Sequence, residues 1–523
     1  MFVGPQSTKG DVVMFKAMVP GISRKTRGFR RAGRRSAVAV TLVALVALAA
    51  AGPTGTTRAV AASALPGPTV TGPYPTGSST FGGTLYGTNF NLSRVGYERS
   101  QFFLSGTAHS YVPVGTLSTD GKWNVTTGAS APYKTRIAVY RPSDPRKFNG
   151  TVVVEWLNVS GGTDDSPDWT LSHNELVREG FAWVGVSAQQ VGVNSAKSTD
   201  PRRYSSLSHP GDSFSYDIFS QAGQSVRNDA TRILAGLRPR RLIAAGESQS
   251  AGRLMTYIDA VQPVAHAYDG FLVHSQFGTG APLSQGPQAA YSVPVPTTIR
   301  SDLHVPVLEF ETETDVANSN LTDRLFYGNP KSFRLWEVAG SSHYDYYGLN
   351  IGPTDTGNGQ GAVKNLAAMQ HQGPSSFGCA MPVNSGGTHW VLDAAVHWLN
   401  RWVAGGPPPP TAPVLSTSGT SPVAFVRDAN GNAIGGVRSP QVDAPIATVT
   451  GQSGGGPSFC FLFGTTVPFS TTQLNALYPT HNRFVEDWAR AIHRSVANGF
   501  LLPSDGVELL HSAVVSDIGR RRK

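Results

Sequence analysis

The sequence predicts an α/β fold: a mostly parallel central sheet flanked by helices, with a C-terminal appendage. Three observations carry this. Short runs that are almost wholly β-branched or aliphatic, such as Thr151-Val152-Val153-Val154-Glu155-Trp156-Leu157, have no polar face and suit strands covered on both sides. Stretches with apolar residues at helical spacing separate these runs, so successive strands are joined by crossovers and lie parallel. Before residue 150 the texture differs. Thr135-Arg136-Ile137-Ala138-Val139-Tyr140 alternates apolar and polar residues, as a half-buried antiparallel strand does.

The elements follow in chain order. Residues 1–64 have the anatomy of a cleavable export signal: a basic region ending at Arg34-Arg35, an apolar run from Ala37 to Ala51, then small residues at Ala59-Val60-Ala61 or Ala62-Ser63-Ala64. The paired arginines also fit an incomplete twin-arginine signal. The run is shorter than the roughly 20 residues of a membrane span, so no stable span is expected after processing, a single-pass anchor being the alternative. Residues 65–84 read as a Pro/Gly/Ser/Thr linker. The core is expected over 85–406. It opens with antiparallel strands between Tyr97 and Tyr140, then the Thr151–Leu157 strand, a helix from Trp169 to Glu179 and a strand from Phe181 to Ser187. Next come a helix over Ala222–Leu237, a strand over Arg241–Ala245 and a helix over Ser250–Val261. Strands at Gly270–His274, Val305–Glu311 and Ser332–Val338 follow, and a helix over Thr388–Ala404 closes the unit. Residues 407–415 are a Pro-rich connection. Residues 416–515 form an appendage expected to pack on the core, with a hairpin around Asn430-Gly431 and an amphipathic helix over His481–Phe500. Residues 516–523 are a basic tail.

A net charge of +9 invites a nucleic-acid partner, but its distribution excludes one. Nine Lys/Arg lie within residues 1–35 against the single acid Asp11, and outside that segment 34 basic residues face 33 acidic ones. The body carries no basic stripe of the kind phosphate binding needs. Hydrophobic residues at 40% support a large core. The two cysteines, Cys379 and Cys460, are most simply a disulfide in an exported protein, with two buried thiols as the alternative. A zinc site needs more ligands than this pair offers.

The chemistry points to Gly246-Glu247-Ser248-Gln249-Ser250, placed between a strand and a helix. A serine hydroxyl becomes nucleophilic when it is exposed beside a base and near donors for an oxyanion. A sharp strand-to-helix turn provides this, provided that the residues two before and two after the serine are small, as Gly246 and Ser250 are. An ordinary turn with Ser250 capping the helix is the plainer alternative. An acid and a histidine should follow in that order, each after a strand. The Val305–Glu311 strand runs into Glu313 and Asp315, and the Ser332–Val338 strand runs into His343. Asp315 is preferred to Glu313 as the acid because it lies one turn beyond the strand. His274 also ends a strand and is a pocket wall or alternative base. The oxyanion donors are expected from the amide of Gln249 and from Val159 or Ser160 in the loop after the Thr151–Leu157 strand. Asp164, Asp165 and Trp169 are expected to line the mouth. Trp156 and Phe277 are further apolar residues, with core packing preferred for Trp156.

On VVVEWLNVSGG at 152–162, YDIFSQAG at 216–223, GESQSAG at 246–252, ETETDV at 311–316 and GGVRSPQVDAP at 435–445, the chain resembles the α/β-hydrolase superfamily. More narrowly it resembles the bacterial alpha/beta hydrolase domain proteins, over roughly residues 85–515. GESQSAG is also similar to the GESAG turn of carboxylesterases, differing at Gln249 and Ser250. The resemblance implies eight strands, a Ser–His–acid triad, carboxylic-ester hydrolysis without a cofactor, and residues 411–515 within the same functional unit. The expected activity is therefore an exported serine hydrolase acting on small-molecule, lipid or polymer esters. An acyltransferase with the same triad is the second reading, and a non-catalytic binding protein on this scaffold the third.

Overall fold

The computed structural model describes residues 67–520 except 79, 320, 323, 325–330, 374, 376 and 420. The export signal, the anchor alternative and the last three basic residues lie outside the described residues.

Nine strands form the central sheet: β1 Thr69–Tyr74, β2 Tyr97–Pro113, β3 Val125–Pro142, β4 Thr151–Trp156, β5 Ala182–Val186, β6 Arg241–Glu247, β7 Gly270–His274, β8 Val307–Thr312 and β9 Phe333–Val338. Their order across the sheet is β1-β2-β3-β5-β4-β6-β7-β8-β9. The first three are antiparallel, and β5 through β9 run parallel. Because β5, β4, β6, β7, β8 and β9 point the same way, their C-terminal ends share one rim, where open α/β sheets place their ligands. Burial follows from composition. Every residue of β4, β5, β7 and β8 is buried, matching runs that lack a polar face.

The principal helices are α1 Pro167–Arg178, α2 Gln190–Thr199, α3 Ser215–Asn228, α4 Gln249–Thr256, α5 Glu313–Asn318, α6 Gln360–Gln370, α7 Thr388–Val403, α8 His481–Ala497 and α9 Pro503–Val515. Of these, α2, α6 and α9 have no counterpart in the expectation. One apolar layer contains Trp156, Phe219 and Tyr257 with Leu254 of α4. The other holds Trp169, Trp183 and Leu308 beneath α1 and α7. No helix among the described residues is long and apolar enough to cross a membrane.

One expectation needs correction. The linker over 65–84 contains β1, which pairs antiparallel with β2 and raises the count from eight strands to nine. Pro73 is tolerated there because an edge strand leaves half its amides free of the ladder. Residues 416–515 pack against the core. Val437 donates to the Glu337 carbonyl at 2.7 Å and accepts from Ala339 at 3.0 Å, covering the open edge of β9. Trp336 Nε1 and Arg334 Nε donate to the Pro410 and Pro409 carbonyls at 2.8 and 3.0 Å, so the Pro-rich connection is laid along β9 as well. A third apolar layer joins Ala339, Val316 and Trp390 to Val442, Phe484 and Trp488. Cys379 and Cys460 are disulfide-bonded, which removes the alternative of free thiols.

Candidate functional site

The turn after β6 has the strained backbone that its sequence implies. Ser248 adopts φ 60° and ψ −120°, a region that non-glycine residues occupy rarely and at a cost, so the surrounding structure must impose it. Its amide donates to the His274 carbonyl at 2.9 Å, extending the β6–β7 ladder up to the turn. A Cβ on Gly246 would lie 3.0 Å from the Ser250 carbonyl oxygen and 3.1 Å from Leu254, which is why a residue without a side chain stands there. Ser248 occupies the N-cap position of α4 without a side-chain capping bond, which leaves its hydroxyl to other partners. Ser250 is wholly buried and does not cap the helix.

Two further strand ends bring their side chains to this hydroxyl. His343 Nε2 lies 2.8 Å from Ser248 Oγ, and His343 Nδ1 lies 2.6 Å from Asp315 Oδ1. Asp315 is placed by local sequence. Thr312 and Asp315 form a capping box at the start of α5, in which Asp315 Oδ2 accepts from the Thr312 amide at 2.8 Å and from its hydroxyl at 2.6 Å. Burial pushes the Asp315 carboxyl up. His343 beside it and hydrogen bonds from His343, Thr312 and Ser275 outweigh that, and hold it below its ordinary value. Glu313 faces the other way. It accepts from the Gly340 amide at 2.7 Å, Thr450 Oγ1 at 3.0 Å and the Gly451 amide at 3.2 Å, and pairs with Arg427 at 3.2 Å. Gly340, at φ 69°, would place a Cβ 2.6 Å from Val442, so the turn leading to His343 requires glycine.

The loop expected to supply an oxyanion donor is short. Asn158 and Asp165 exchange backbone hydrogen bonds of 3.0 and 2.8 Å, closing a loop of residues 159–164. The Ser160 amide donates to Asn158 Oδ1 at 2.7 Å and is therefore engaged, which favours Val159 over Ser160 as the donor beside Gln249.

Three expected pocket residues are elsewhere. Asp164 is fully buried in an ion pair with Arg136 at 2.5 Å and accepts from Ser187 Oγ. The loop closure at Asp165 returns the chain to the core before it can line a mouth. Trp169 is 1% exposed, donates to Thr88 Oγ1 at 2.6 Å and packs on Tyr140 and Trp183. The His274 side chain is fully buried with Nδ1 2.8 Å from Asp168 Oδ1, so its ring meets neither solvent nor Ser248. Trp156 belongs to the core against Phe219. Phe277, in contrast, stacks on the His343 ring at 4.8 Å between centroids and 17° between planes.

The sequence reading missed Glu247 and Asn158. Glu247 Oε1 lies 3.3 Å from His343 Nε2, and Asn158 Nδ2 donates to Glu247 Oε2 at 3.0 Å. The available signal was a carboxylate directly before the serine at the end of a buried strand. Glu175, Glu179 and His397 approach one another closely enough to ligate a metal, but Glu175 already pairs with Arg178 at 2.7 Å and His397 at 3.0 Å. A cavity of about 750 Å³ near Leu474, Phe469 and Ile518 includes none of the residues around Ser248.

This strand order, with a serine on a strained turn after β6, defines the α/β-hydrolase class of protein. The chain belongs to the alpha/beta hydrolase domain family, whose profile matches residues 70–511. No curated protein matches the sequence. Among solved structures, it is similar to a thermostable esterase from Pseudomonas putida ECU1011 (16% identity, 51% of this chain and 80% of that one, TM-score 0.30). It is also similar to the carboxylesterase Cest-2923 from Lactobacillus plantarum WCFS1 (13% identity, 50% and 95%, TM-score 0.28). An esterase from Rhizomucor miehei shares 16% identity over 48% of this chain and 78% of its own, with a TM-score of 0.27.

Proposed function

We propose that this chain is an exported serine hydrolase that cleaves carboxylic esters, with Ser248 as nucleophile, His343 as base and Asp315 as the acid that orients it. The single observation that supports it most is the unbroken hydrogen-bonded chain from Ser248 Oγ through His343 to Asp315, at 2.8 and 2.6 Å. Ser248 Oγ forms a bond to the ester carbonyl carbon while its proton passes to His343 Nε2. Asp315 accepts from Nδ1–H and so keeps Nε2 as the free base. The amides of Gln249 and Val159 stabilise the oxyanion. Collapse breaks the bond to the alcohol oxygen, which takes the proton from Nε2. Water, deprotonated by the same nitrogen, then attacks the acyl-enzyme and releases the acid and Ser248. Phe277, stacked on the imidazole, offers an apolar surface beside the reacting carbon.

Export rests on the anatomy of residues 1–64 and on the disulfide, a bond that persists in oxidising compartments. One experiment addresses both parts. The chain is produced in a bacterial host with its N-terminal segment, and the extracytoplasmic fraction is treated with a fluorophosphonate. A labelled band shortened by about 60 residues is expected, as a signal of this anatomy is removed on export. Ser248→Ala should abolish the label and lower ester turnover at least about 10³-fold. Label that persists in Ser248→Ala refutes the nucleophile, and label confined to an unprocessed cytoplasmic chain refutes export.

A further inference from the structure

One carboxylate beside the imidazole has no part in the acyl transfer. Glu247 ends β6 directly before Ser248, with its side chain 5% exposed, and its Oε1 stands 3.3 Å from His343 Nε2. That is the nitrogen on which Ser248 Oγ also converges, at 2.8 Å. The carboxyl is fixed in place: Asn158 Nδ2 donates to Oε2 at 3.0 Å and to the Glu247 carbonyl at 3.1 Å. Through Oδ1 the same asparagine holds the Ser160 amide at 2.7 Å, so Glu247 is tied to the loop assigned to the oxyanion. We propose that Glu247 is a positioning residue that shares Nε2 of His343 with Ser248, and thereby sets the pH at which the imidazole is free to take the serine proton. This inference rests on the assignment of Ser248 and His343 as nucleophile and base.

The surroundings favour that role. Burial raises the Glu247 carboxyl well above its ordinary value, and Asp168 of α1, Asp315 of α5 and Asp165 before α1 raise it further. Tyr344 of the His343 turn also faces it. His274, opposite on β7, is engaged with Asp168. A protonated Glu247 donates to the Nε2 lone pair and competes with the Ser248 hydroxyl for it. Once ionised, it leaves the lone pair to serine and attracts the imidazolium formed as serine attacks. Full activity requires Glu247 to be ionised, and burial delays that ionisation to higher pH. The rising limb of activity with pH should therefore lie higher than in a protein that lacks this carboxyl.

The test is the second-order rate of fluorophosphonate labelling of Ser248 from mildly acid to mildly alkaline pH, in the wild type and in Glu247→Gln. Gln keeps the size and the oxygen that accepts from Asn158 but cannot ionise. The rising limb is expected to move to lower pH by about one unit, with a plateau reduced about tenfold. A purely structural role would lower the rate at every pH and leave the limb in place, and an unmoved limb overturns the proposal. Should Glu247→Gln fail to fold, Glu247→Asp withdraws the carboxyl by one methylene. It should move the limb in the same direction by less, and an unmoved limb there overturns the proposal equally. A wild type that does not label overturns the nucleophile assignment and this inference with it. A labelled wild type whose limb ignores both variants overturns this inference alone.

Discussion

Glu313 and Asp315 stand two residues apart in the first turn of α5, and their partners divide them. Asp315 serves the imidazole, while Glu313 fastens the Gly340 turn to Thr450, Gly451 and Arg427. Asp315→Asn should therefore leave the fold intact and lower turnover roughly 10³–10⁴-fold, because the amide no longer fixes the tautomer that keeps Nε2 a base. Glu313→Gln should do the reverse. It leaves the Arg427 guanidinium and the two amides poorly matched at a buried site, costing stability on the order of 2–3 kcal/mol with turnover within about tenfold. Steady-state kinetics beside denaturant melts of both variants check this pair. The convergence of Ser248, His343 and Asp315 was legible in the sequence because each follows a recognisable strand at the required distance. Asp164, Trp169 and His274 were misplaced because a linear reading cannot show that the chain turns inward at Asp165, or that Asp168 of α1 meets the end of β7. Glu247 escaped for a related reason: its significance lies in a contact with His343, almost a hundred positions away.

At the scale of elements, the parallel strands were legible because burial on both faces leaves a continuous apolar run. The edge strand β1 was not. PGPTVTGPYP looks like linker, and only pairing with β2 gives Thr69–Tyr74 a structure. The C-terminal pieces were harder still, since their partners are distant in sequence. Strands β10 (Ala447–Thr450) and β11 (Thr465–Pro468) pair with each other, and the loop before β11 comes back to the His343 turn, where the Tyr344 amide donates to the Leu462 carbonyl at 3.4 Å. The Cys379–Cys460 bond ties that loop to the segment between α6 and α7 across 81 positions. Closing so long a loop restricts the unfolded chain, so Cys379→Ser with Cys460→Ser should cost about 2–5 kcal/mol. Urea melts of the double variant, compared with the oxidised wild type, check the loss. Ser248 labelling well below the melting range should persist.

Across the whole molecule, α1, α7 and α9 meet around one guanidinium. Arg178 lies 2.7 Å from Glu175, 2.9 Å from Asp505 and 3.8 Å from Asp393. Burial raises the Asp505 carboxyl to about 7; Arg178 opposes this, and Glu175 and Glu508 add to it. A carboxyl whose folded value exceeds its unfolded one keeps its proton longer in the native state. Its stabilisation is complete at low pH and is lost as pH rises through the folded value. Asp505→Asn mimics the protonated form. Its Tm relative to the wild type should therefore climb by a few degrees between about pH 4 and 7 and then level off. A difference that is flat with pH, read by calorimetry across that window, would show that Asp505 does not carry this linkage.

The grip of Arg427, Thr450 and Gly451 on Glu313 reaches beyond stability. The turn that presents Asp315 and the turn that presents His343 are both braced by chain from the C-terminal region, and Val437 seals the edge of the strand between them. Residues 416–515 are thus masonry of this fold and not a detachable module. Exchanging them between relatives as a cassette would have to carry the matching stretches around Glu313 and Gly340 along, or Ser248, His343 and Asp315 would lose their alignment while every one of them was still present.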